Sequence, residues 1–454
     1  MTDTIAAIAT GGTISAIGIV RVSGPEAISA AGTVFRPADG KPMSEHRDRQ
    51  LVYGSLLDTQ GRTLDLCLCT ISRGPHSYTG EDTAELQCHG SPVVLRAALE
   101  ALFAAGARQA GPGEFTKRAF LNGRLDLTEA EAVIDIIEAE TSAAAVNAAG
   151  QLGGALSRRA EAVYSDVVDI ISHFDAVLDY PDEDIEPFEM MSYAGKLDAG
   201  SAELGALLSS FERGRVMREG VRAAIVGRPN AGKSSLLNAV LGYERAIVTS
   251  QPGTTRDTIE EKVLLGGVLL RLTDTAGLRE AADEAEREGV RRAFAAAEGA
   301  ELAIAVFDGS QPFSESDGET LAAAHAAKRA ICVINKSDLP QKLKASDLSG
   351  FDACLSLSAL TGEGLDSLAA AVAGLFPEPE APAGEILTNA RQAEAVSRAL
   401  HALDAARKAL SAGLTPDAVL TDAEAALEAL SELTGRSVRD DVTDRIFSRF
   451  CVGK

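Results

Sequence analysis

Hydrophobic positions along the chain follow successive rhythms. Residues 1 to about 120 carry short β-rich runs (IGIVRVSG, RQLVYGSLL, LDLCLCTIS, TAELQCHG) between turn residues, with one helical stretch in PVVLRAALEALFAAGA. From about Leu125 to Arg218 apolar residues recur at helical spacing, as in LTEAEAVIDIIEAETSAAAVNAAG and RRAEAVYSDVVDIISHFDAVLD. Pro181 and Pro187 punctuate that stretch. From Gly220 to about Phe376 the rhythm becomes strand, glycine loop, helix, repeated. PEPEAPAGE then reads as a stiff acidic linker. Helical periodicity returns in RQAEAVSRALHALDAARKAL and AVLTDAEAALEALSELTG, and Val442, Ile446, Phe447 and Phe450 extend it toward the final residues, RFCVGK.

This pattern predicts an α/β plus α chain in four stretches. They are an N-terminal α+β domain (1–122), a first helical part (123–218), an inserted P-loop domain (219–377) and a second helical part (378–454). Insertion into one helical bundle is the simplest geometry, because a guest domain with neighbouring termini is tolerated there. Two separate helical domains are the alternative.

Composition narrows the class. The 454 residues are 46% hydrophobic and 24% charged, enough apolar content for sizeable cores. MTDTIAAIATGG has no basic n-region before an apolar stretch, and no run of 18 apolar residues occurs, so neither a secretory signal nor a membrane span is expected. The six Cys show neither paired metal spacing nor a disulfide framework, and Cys67 and Cys69 read as small residues buried on one strand face. A reduced cytoplasm is expected. The formal charge of −23 repels phosphate at long range, so an RNA partner needs a local basic patch or a second protein.

The chemistry concentrates in the third stretch. VRAAIVGRPNAGKSSLLNAVLG is strand, glycine loop and helix, and Gly227 to Ser234 match G-x-x-x-x-G-K-[ST]. Asn230, Ala231, Gly232, Ser234 and Ser235 surround the phosphates with backbone N–H groups, Lys233 adds a charge at the β/γ-phosphates, and Ser234 holds Mg²⁺. In LLRLTDTAG, Asp274 ends an apolar strand as the acid behind the metal, followed by Thr275, Ala276 and Gly277, whose N–H faces the γ-phosphate. Asn335-Lys336-Ser337-Asp338 is the N-K-x-D pattern that reads guanine, with Asp338 accepting from its N–H edge and Lys336 covering the ring. Ser358 and Ala359 fit the loop behind the guanine O6. Together these motifs, each at a strand end, select GTP.

Two departures matter. Leu278 follows Asp-Thr-Ala-Gly where Ras-like enzymes keep a water-orienting Gln. Asn230 stands just ahead of the P-loop glycine, and with the loop TSQPGTTRD (Thr249, Ser250, Gln251, Pro252, Gly253, Thr254, Thr255) it suits a monovalent cation cage, Thr255 being the second Mg²⁺ ligand. The general base is open among Glu280, Asp283, Glu284, Glu286 and Glu288, most of which must simply be solvated.

GRPNAGKS, GTTRD, DTAGLRE, NKSD, PGEFTKRAFLNGRLDLTEAEA and the FCVGK end occur in one order across essentially the whole chain. In these motifs the chain resembles the MnmE (TrmE) family of bacterial tRNA-modification GTPases. The resemblance implies an N-terminal domain that dimerises and binds a 5-formyl- or methylene-tetrahydrofolate, and a helical domain split by a G domain. It also implies K⁺-activated GTP hydrolysis driven by G-domain dimerisation. An FAD-containing partner, MnmG, joins the homodimer in a heterotetramer or larger assembly. Together they attach an aminomethyl or carboxymethylaminomethyl group to carbon 5 of the wobble uridine of certain tRNAs.

Residue by residue, the resemblance assigns K⁺ to Asn230, Thr249, Gln251 and Thr254, and the catalytic glutamate to Glu286. It sets Arg256 and Arg279 beside the phosphates. Folate falls to Arg21, Glu85, Arg124 and Lys454, with Arg124 standing where the family pattern has Lys. Cys451 is the nucleophilic candidate of the tail, against a packing role. No dinucleotide fingerprint follows a strand, so FAD belongs to the partner alone. The rival readings are a ribosome-assembly GTPase acting as an RNA-binding switch, and a purely regulatory GTPase arm.

Overall fold

The four β-rich runs of the N-terminal region become β2 (Ser15–Ser23), β4 (Val52–Leu57), β5 (Thr63–Ser72) and β6 (Thr83–Gly90), and the structure adds the short strands β1 (Ile5–Ile8), β3 (Phe35–Pro37) and β7 (Arg108–Gln109). They form one sheet in the order β3-β4-β5-β6-β2-β1-β7, antiparallel except where β7 joins β1. Because strand side chains alternate, Val20, Val22, Cys67, Cys69, Ile71, Leu86 and Cys88 share one face. They pack there against α1 (Ala27–Val34) and α2 (Pro92–Ala104). The computed structural model describes residues 3–179, 187–243, 261–272, 297–344, 348–377, 381–437, 443, 446–448 and 450–453.

One helix was expected in this region, and the structure has three, adding α1 and α3 (Glu114–Leu121). Each added helix has eight residues, too short to sustain itself in water. Burial of Ala27, Ala30, Ala31 and Val34 against the sheet stabilises α1 instead, and that partner is invisible to a local pattern.

The helical stretch becomes α4 (Leu127–Glu138), α5 (Ser142–Leu152), α6 (Ala155–Asp179), α7 (Pro187–Ser209) and α8 (Phe211–Glu219). A second sheet follows, with β8 (Val221–Val226), α9 (Lys233–Tyr243), β9 (Glu261–Leu265), β10 (Val268–Leu272) and β11 (Leu302–Asp308). It continues through α10 (Glu315–Ala324), β12 (Arg329–Asn335), β13 (Ala353–Ser356) and α11 (Leu365–Leu375), and the chain goes on to α12 (Ala390–Ser411) and α13 (Pro416–Thr434). The strand order is β13-β12-β11-β8-β10-β9, parallel except for antiparallel β9. Val221, Ala223 and Ile225 enter the core on one face, and Ala224 and Val226 that on the other. A sheet covered on both sides explains why its strands read as continuous apolar runs.

The chain divides into two compact units, Met1–Ile134 with Ala149–Leu204 and Glu394–Lys454, and Asp135–Ala148 with Gly205–Ala393. In the first unit, helices from before and after the second sheet pack together. Gly200 of α7 lies against Leu403 of α12 and Val163 of α6. Arg436 pairs with Glu161 at 2.6 Å and stacks 4.4 Å over the Tyr164 ring. Arg407 pairs with Asp198.

The fully buried guanidinium of Arg118 organises the N-terminal region. It donates to Glu81 at 3.0 Å, Glu114 at 3.0 Å, and both the carboxylate and the carbonyl of Asp3 at 2.9 Å. Three chain segments far apart in sequence thus converge on one cation. Removing the cation while leaving its partners strands buried negative charge. Arg118→Met is therefore expected to lower unfolding free energy by about 3–5 kcal/mol in chemical denaturation. Burial opposes ionisation of Glu114, but hydrogen bonds from Arg108, the Gly111 amide and Arg118 outweigh it and bring its pKa down to about 2. Because the folded value is depressed, this contribution is complete above the unfolded carboxylate pKa and disappears as pH falls toward 2. Glu114→Gln is expected to flatten the acid limb of the stability curve between about pH 4.5 and 2, as read by urea titrations at stepped pH.

Candidate functional site

The P-loop sits where parallel β8 ends and α9 begins, with Leu236, Leu237 and Val240 anchoring α9 in the core. Two residues of the loop adopt positive φ, Asn230 at 63° and Gly232 at 101°. A Cβ on Gly232 would collide with the Asn335 side-chain amide, so glycine is required by closeness as well as by φ. Ala231 is buried, Ser234 half-buried and Ser235 exposed on the first turn of α9.

The Lys233 ammonium donates to the carbonyls of Gly227 at 2.7 Å and Arg228 at 3.0 Å. Among the described residues no carboxylate pairs with it, and burial pulls its pKa below the usual lysine range. A desolvated cation beside a helix N-terminus, with no carboxylate partner among the described residues, fits a polyphosphate. The carbonyl bonds hold the ammonium in the loop that would meet the β/γ-phosphates.

Asn335, at the end of β12, joins the P-loop to the 358–359 loop. Its Nδ2 donates to the Ala231 carbonyl at 2.9 Å, and its Oδ1 accepts from the Ala359 amide at 3.0 Å. Lys336, in the left-handed region at φ 66°, donates to the Asn230 carbonyl at 3.0 Å and to Asp308 at 2.6 Å. The Ser358 hydroxyl, fully buried, donates to Asp338 at 2.6 Å. Asn230, Asn335, Lys336, Asp338, Ser358 and Ala359 are thus one connected cluster. Sequence reading missed Asp308, whose only signal was its position at the end of the apolar run LAIAVFD. Burial resists its ionisation, but hydrogen bonds from Lys336 and Ser310 outweigh this and keep the carboxylate below its usual range. It thereby fixes the lysine expected over the guanine ring.

Thr249, Ser250, Gln251, Pro252, Gly253, Thr254, Thr255, Asp274, Thr275, Ala276, Gly277, Glu286 and Lys454 lie outside the described residues. So do Arg256, Leu278, Arg279, Glu280, Asp283, Glu284 and Glu288.

A second polar cluster occupies the N-terminal sheet. Arg21 and Glu85 are cross-strand partners on β2 and β6, joined from Nε to Oε1 at 2.8 Å and each only part-exposed. The Arg21 guanidinium lies 5.5 Å from the Tyr78 ring centroid and 5.7 Å from that of Phe115. Arg124 donates to the Ser77 carbonyl at 3.1 Å, bracing the turn that carries Tyr78. Tyr78 and Phe115 were not expected here; only the folded sheet brings them to Arg21.

The tail reaches the same region. Val452 forms an antiparallel bridge with Pro112, and the Cys451 carbonyl accepts from the Gly113 amide at 3.3 Å. A Cβ on Gly453, at φ 101°, would collide with the Ile8 carbonyl, so the tail lies flush on the end of β1. Ala7, next to Ile8, is the ladder partner of Arg21. The Cys451 side chain is exposed. Phe447 and Phe450 pack with Phe120 and Ala130 and anchor this end of the chain.

The model of the MnmE helical domain matches residues 127–451, and that of the GTP-binding protein TrmE N-terminus matches residues 4–124. The chain is 45% identical over 459 residues to the tRNA modification GTPase MnmE of Chloroflexus aurantiacus, covering 100% of both chains. It is 45% identical over 470 residues to that of Roseiflexus sp. and 44% over 458 residues to that of Symbiobacterium thermophilum, covering 100% of this chain and 99% of each relative. Two family models met in chain order, and a likeness sustained from end to end, lead to one conclusion: the chain belongs to the MnmE (TrmE) family.

Proposed function

We propose that this GTPase of the MnmE family modifies carbon 5 of the wobble uridine of certain tRNAs, in the cytoplasm, as a homodimer assembled with the FAD-dependent MnmG. The observation that carries the GTP reading is the Asn335 amide, which binds the phosphate-loop carbonyl and the 358–359 loop at once. A site that pairs with guanine through such fixed groups rejects bases lacking its N–H edge. Among the described residues no helix is long and apolar enough to cross a membrane.

Lys233 and the loop amides hold the phosphates, Asp338 accepts from the guanine edge, and Lys336, braced by Asp308, covers the ring. Ser234 and Thr255 are the proposed Mg²⁺ ligands, with Asp274 behind them. Asn230, Thr249, Gln251 and Thr254 are the proposed K⁺ ligands. The exposed, left-handed Asn230, whose backbone carbonyl is engaged by Lys336, leaves its side chain for that role. These cations supply positive charge toward the phosphate oxygens, an effect worth about 10³–10⁵ in rate when an arginine finger provides it. Glu286 is the proposed base or water-orienting group in place of the Gln that Leu278 replaces.

The folate is assigned to Arg21, Glu85, Arg124 and Lys454. Supporting this, the part-open Arg21–Glu85 pair between Tyr78 and Phe115 offers a carboxylate for a pterin edge and a cation for a glutamate tail. The folate supplies a one-carbon unit when bound. Exposed Cys451, tethered to the Gly113 turn, is the proposed nucleophile there. Homodimerisation draws support from the sheet's outer face, where Ile17, Tyr53 and Leu66 are exposed on the same side as that pair. Because this chain carries a net charge of −23, the basic surface for tRNA is assigned to MnmG.

GTP hydrolysis is expected to run at least about tenfold faster in K⁺ than in Na⁺ at equal ionic strength, given the size of the charge effect at the phosphates. Equal rates in a steady-state phosphate-release assay would sink the cation cage. In the reconstituted assembly with MnmG, Cys451→Ser is expected to keep GTP turnover and abolish the modified wobble nucleoside in mass spectra of digested tRNA. Unchanged nucleoside yield would return Cys451 to a packing role.

A further inference from the structure

β9 and β10 form a hairpin whose turn is Gly266-Gly267 and whose open end pairs Glu261 with Leu272 and Lys262 with Arg271. That open end has a special place in the chain. In sequence, Thr255 precedes β9 by six residues and Asp274 follows β10 by two. The segments assigned to nucleotide and metal therefore enter and leave through one ladder end.

Two like charges sit directly opposite each other at that end, an arrangement that destabilises an antiparallel pair. Glu140 answers both. Its Oε1 lies 2.6 Å from Lys262 Nζ and 3.8 Å from the Arg271 guanidinium. The Arg271 Nε also donates to the Glu219 carbonyl at the end of α8.

Glu140 itself stands on a braced segment, in the short link between α4 and α5. Thr141 caps α5 by accepting from the Ala144 amide at 3.1 Å. Asp135 pairs with Arg218 at 2.8 Å. Asn147 accepts from the Gly384 amide at 2.8 Å and donates to the Ile386 carbonyl at 3.2 Å. At the hairpin tip a cavity of only about 30 Å³ lies between Gly267 and Leu269 and Thr141, Ala143 and Val216, while a Cβ on Gly266 would collide with the Ala369 carbonyl. Val263, Leu265, Val268, Leu270 and Leu272 bury the hairpin in the core, and the charge bridge adds a polar tie between its open end and this frame.

We propose that Glu140 is a positioning residue for GTP hydrolysis, bridging Lys262 and Arg271 so that the ladder end from which the chain runs to Thr255 and to Asp274 keeps its register. The inference rests on the GTPase reading above. It ties turnover to the helical link at 139–141, a stretch of chain that touches neither phosphate nor base.

The test uses the full-length protein in K⁺ with GTP. Glu140→Lys adds a third positive charge and is expected to lower kcat about threefold to tenfold, with KM for GTP within about twofold. The double variant E140K/K262E restores a bridge in the opposite sense and also gives Arg271 an acidic cross-strand partner, so kcat is expected to recover to at least about half of wild type. E140Q, which only removes charge, is expected to show a smaller fall of about twofold and serves if E140K does not fold. A purely structural role predicts a lower melting temperature with unchanged kcat per folded enzyme. That result, or a loss the double variant does not relieve, overturns the proposal. Absence of GTP turnover in the wild type would instead overturn the GTPase reading itself.

Discussion

The nucleotide site depends on one side-chain amide. Asn335 has a donor and an acceptor in fixed geometry, and it spends the first on the Ala231 carbonyl and the second on the Ala359 amide. Residues about a hundred positions apart on either side of the sheet centre are thereby held as one surface. The contact is so close that position 232 has room only for glycine. The P-loop and the 358–359 loop become a single structural unit, because loss of the amide would leave a buried acceptor and a part-buried donor unpaired at the same time.

Buried charge does comparable work elsewhere, with different consequences. In the N-terminal region Arg118 draws Asp3, Glu81 and Glu114 together inside the fold, and Glu81 in turn accepts from Ser23 at 2.8 Å. The turn from Ser77 to Glu81 is therefore pinned from several sides, which steadies Tyr78 against Arg21. A buried ion cluster of this kind adds little net stability over apolar packing, but it specifies geometry, since three carboxylates converge on one guanidinium and Arg108 meets two of them, Asp3 and Glu114, from the other side. On the hairpin of β9 and β10 the charges are part-exposed, and a bridge there can loosen and reform at modest cost.

Much of this was legible in the amino-acid order. The two glycines and the lysine of GRPNAGKS, the apolar runs before Asn335 and Ser358, and the change from alternation to helical spacing near Leu125 all depend on local chemistry. Anion binding at a strand–loop–helix turn needs only neighbouring residues, so the motif and its structural setting arrive together. The helices α1 and α3 were not legible, because eight residues carry too little periodicity and their stability comes from the sheet they cover.

What the sequence determined by itself was therefore the chemistry of short stretches: a P-loop, an N-K-x-D motif at a strand end, parallel strands buried on both faces, and an apolar lead into an unusual tail. Tertiary structure alone decided which distant groups meet. It set Asp308 on Lys336, Tyr78 and Phe115 on Arg21, Val452 beside Pro112, and Glu140 across Lys262 and Arg271. The physical reason is range. Turn, helix and strand preferences are settled within a few residues, whereas a contact between positions tens to hundreds of residues apart exists only once packing has brought its two ends together.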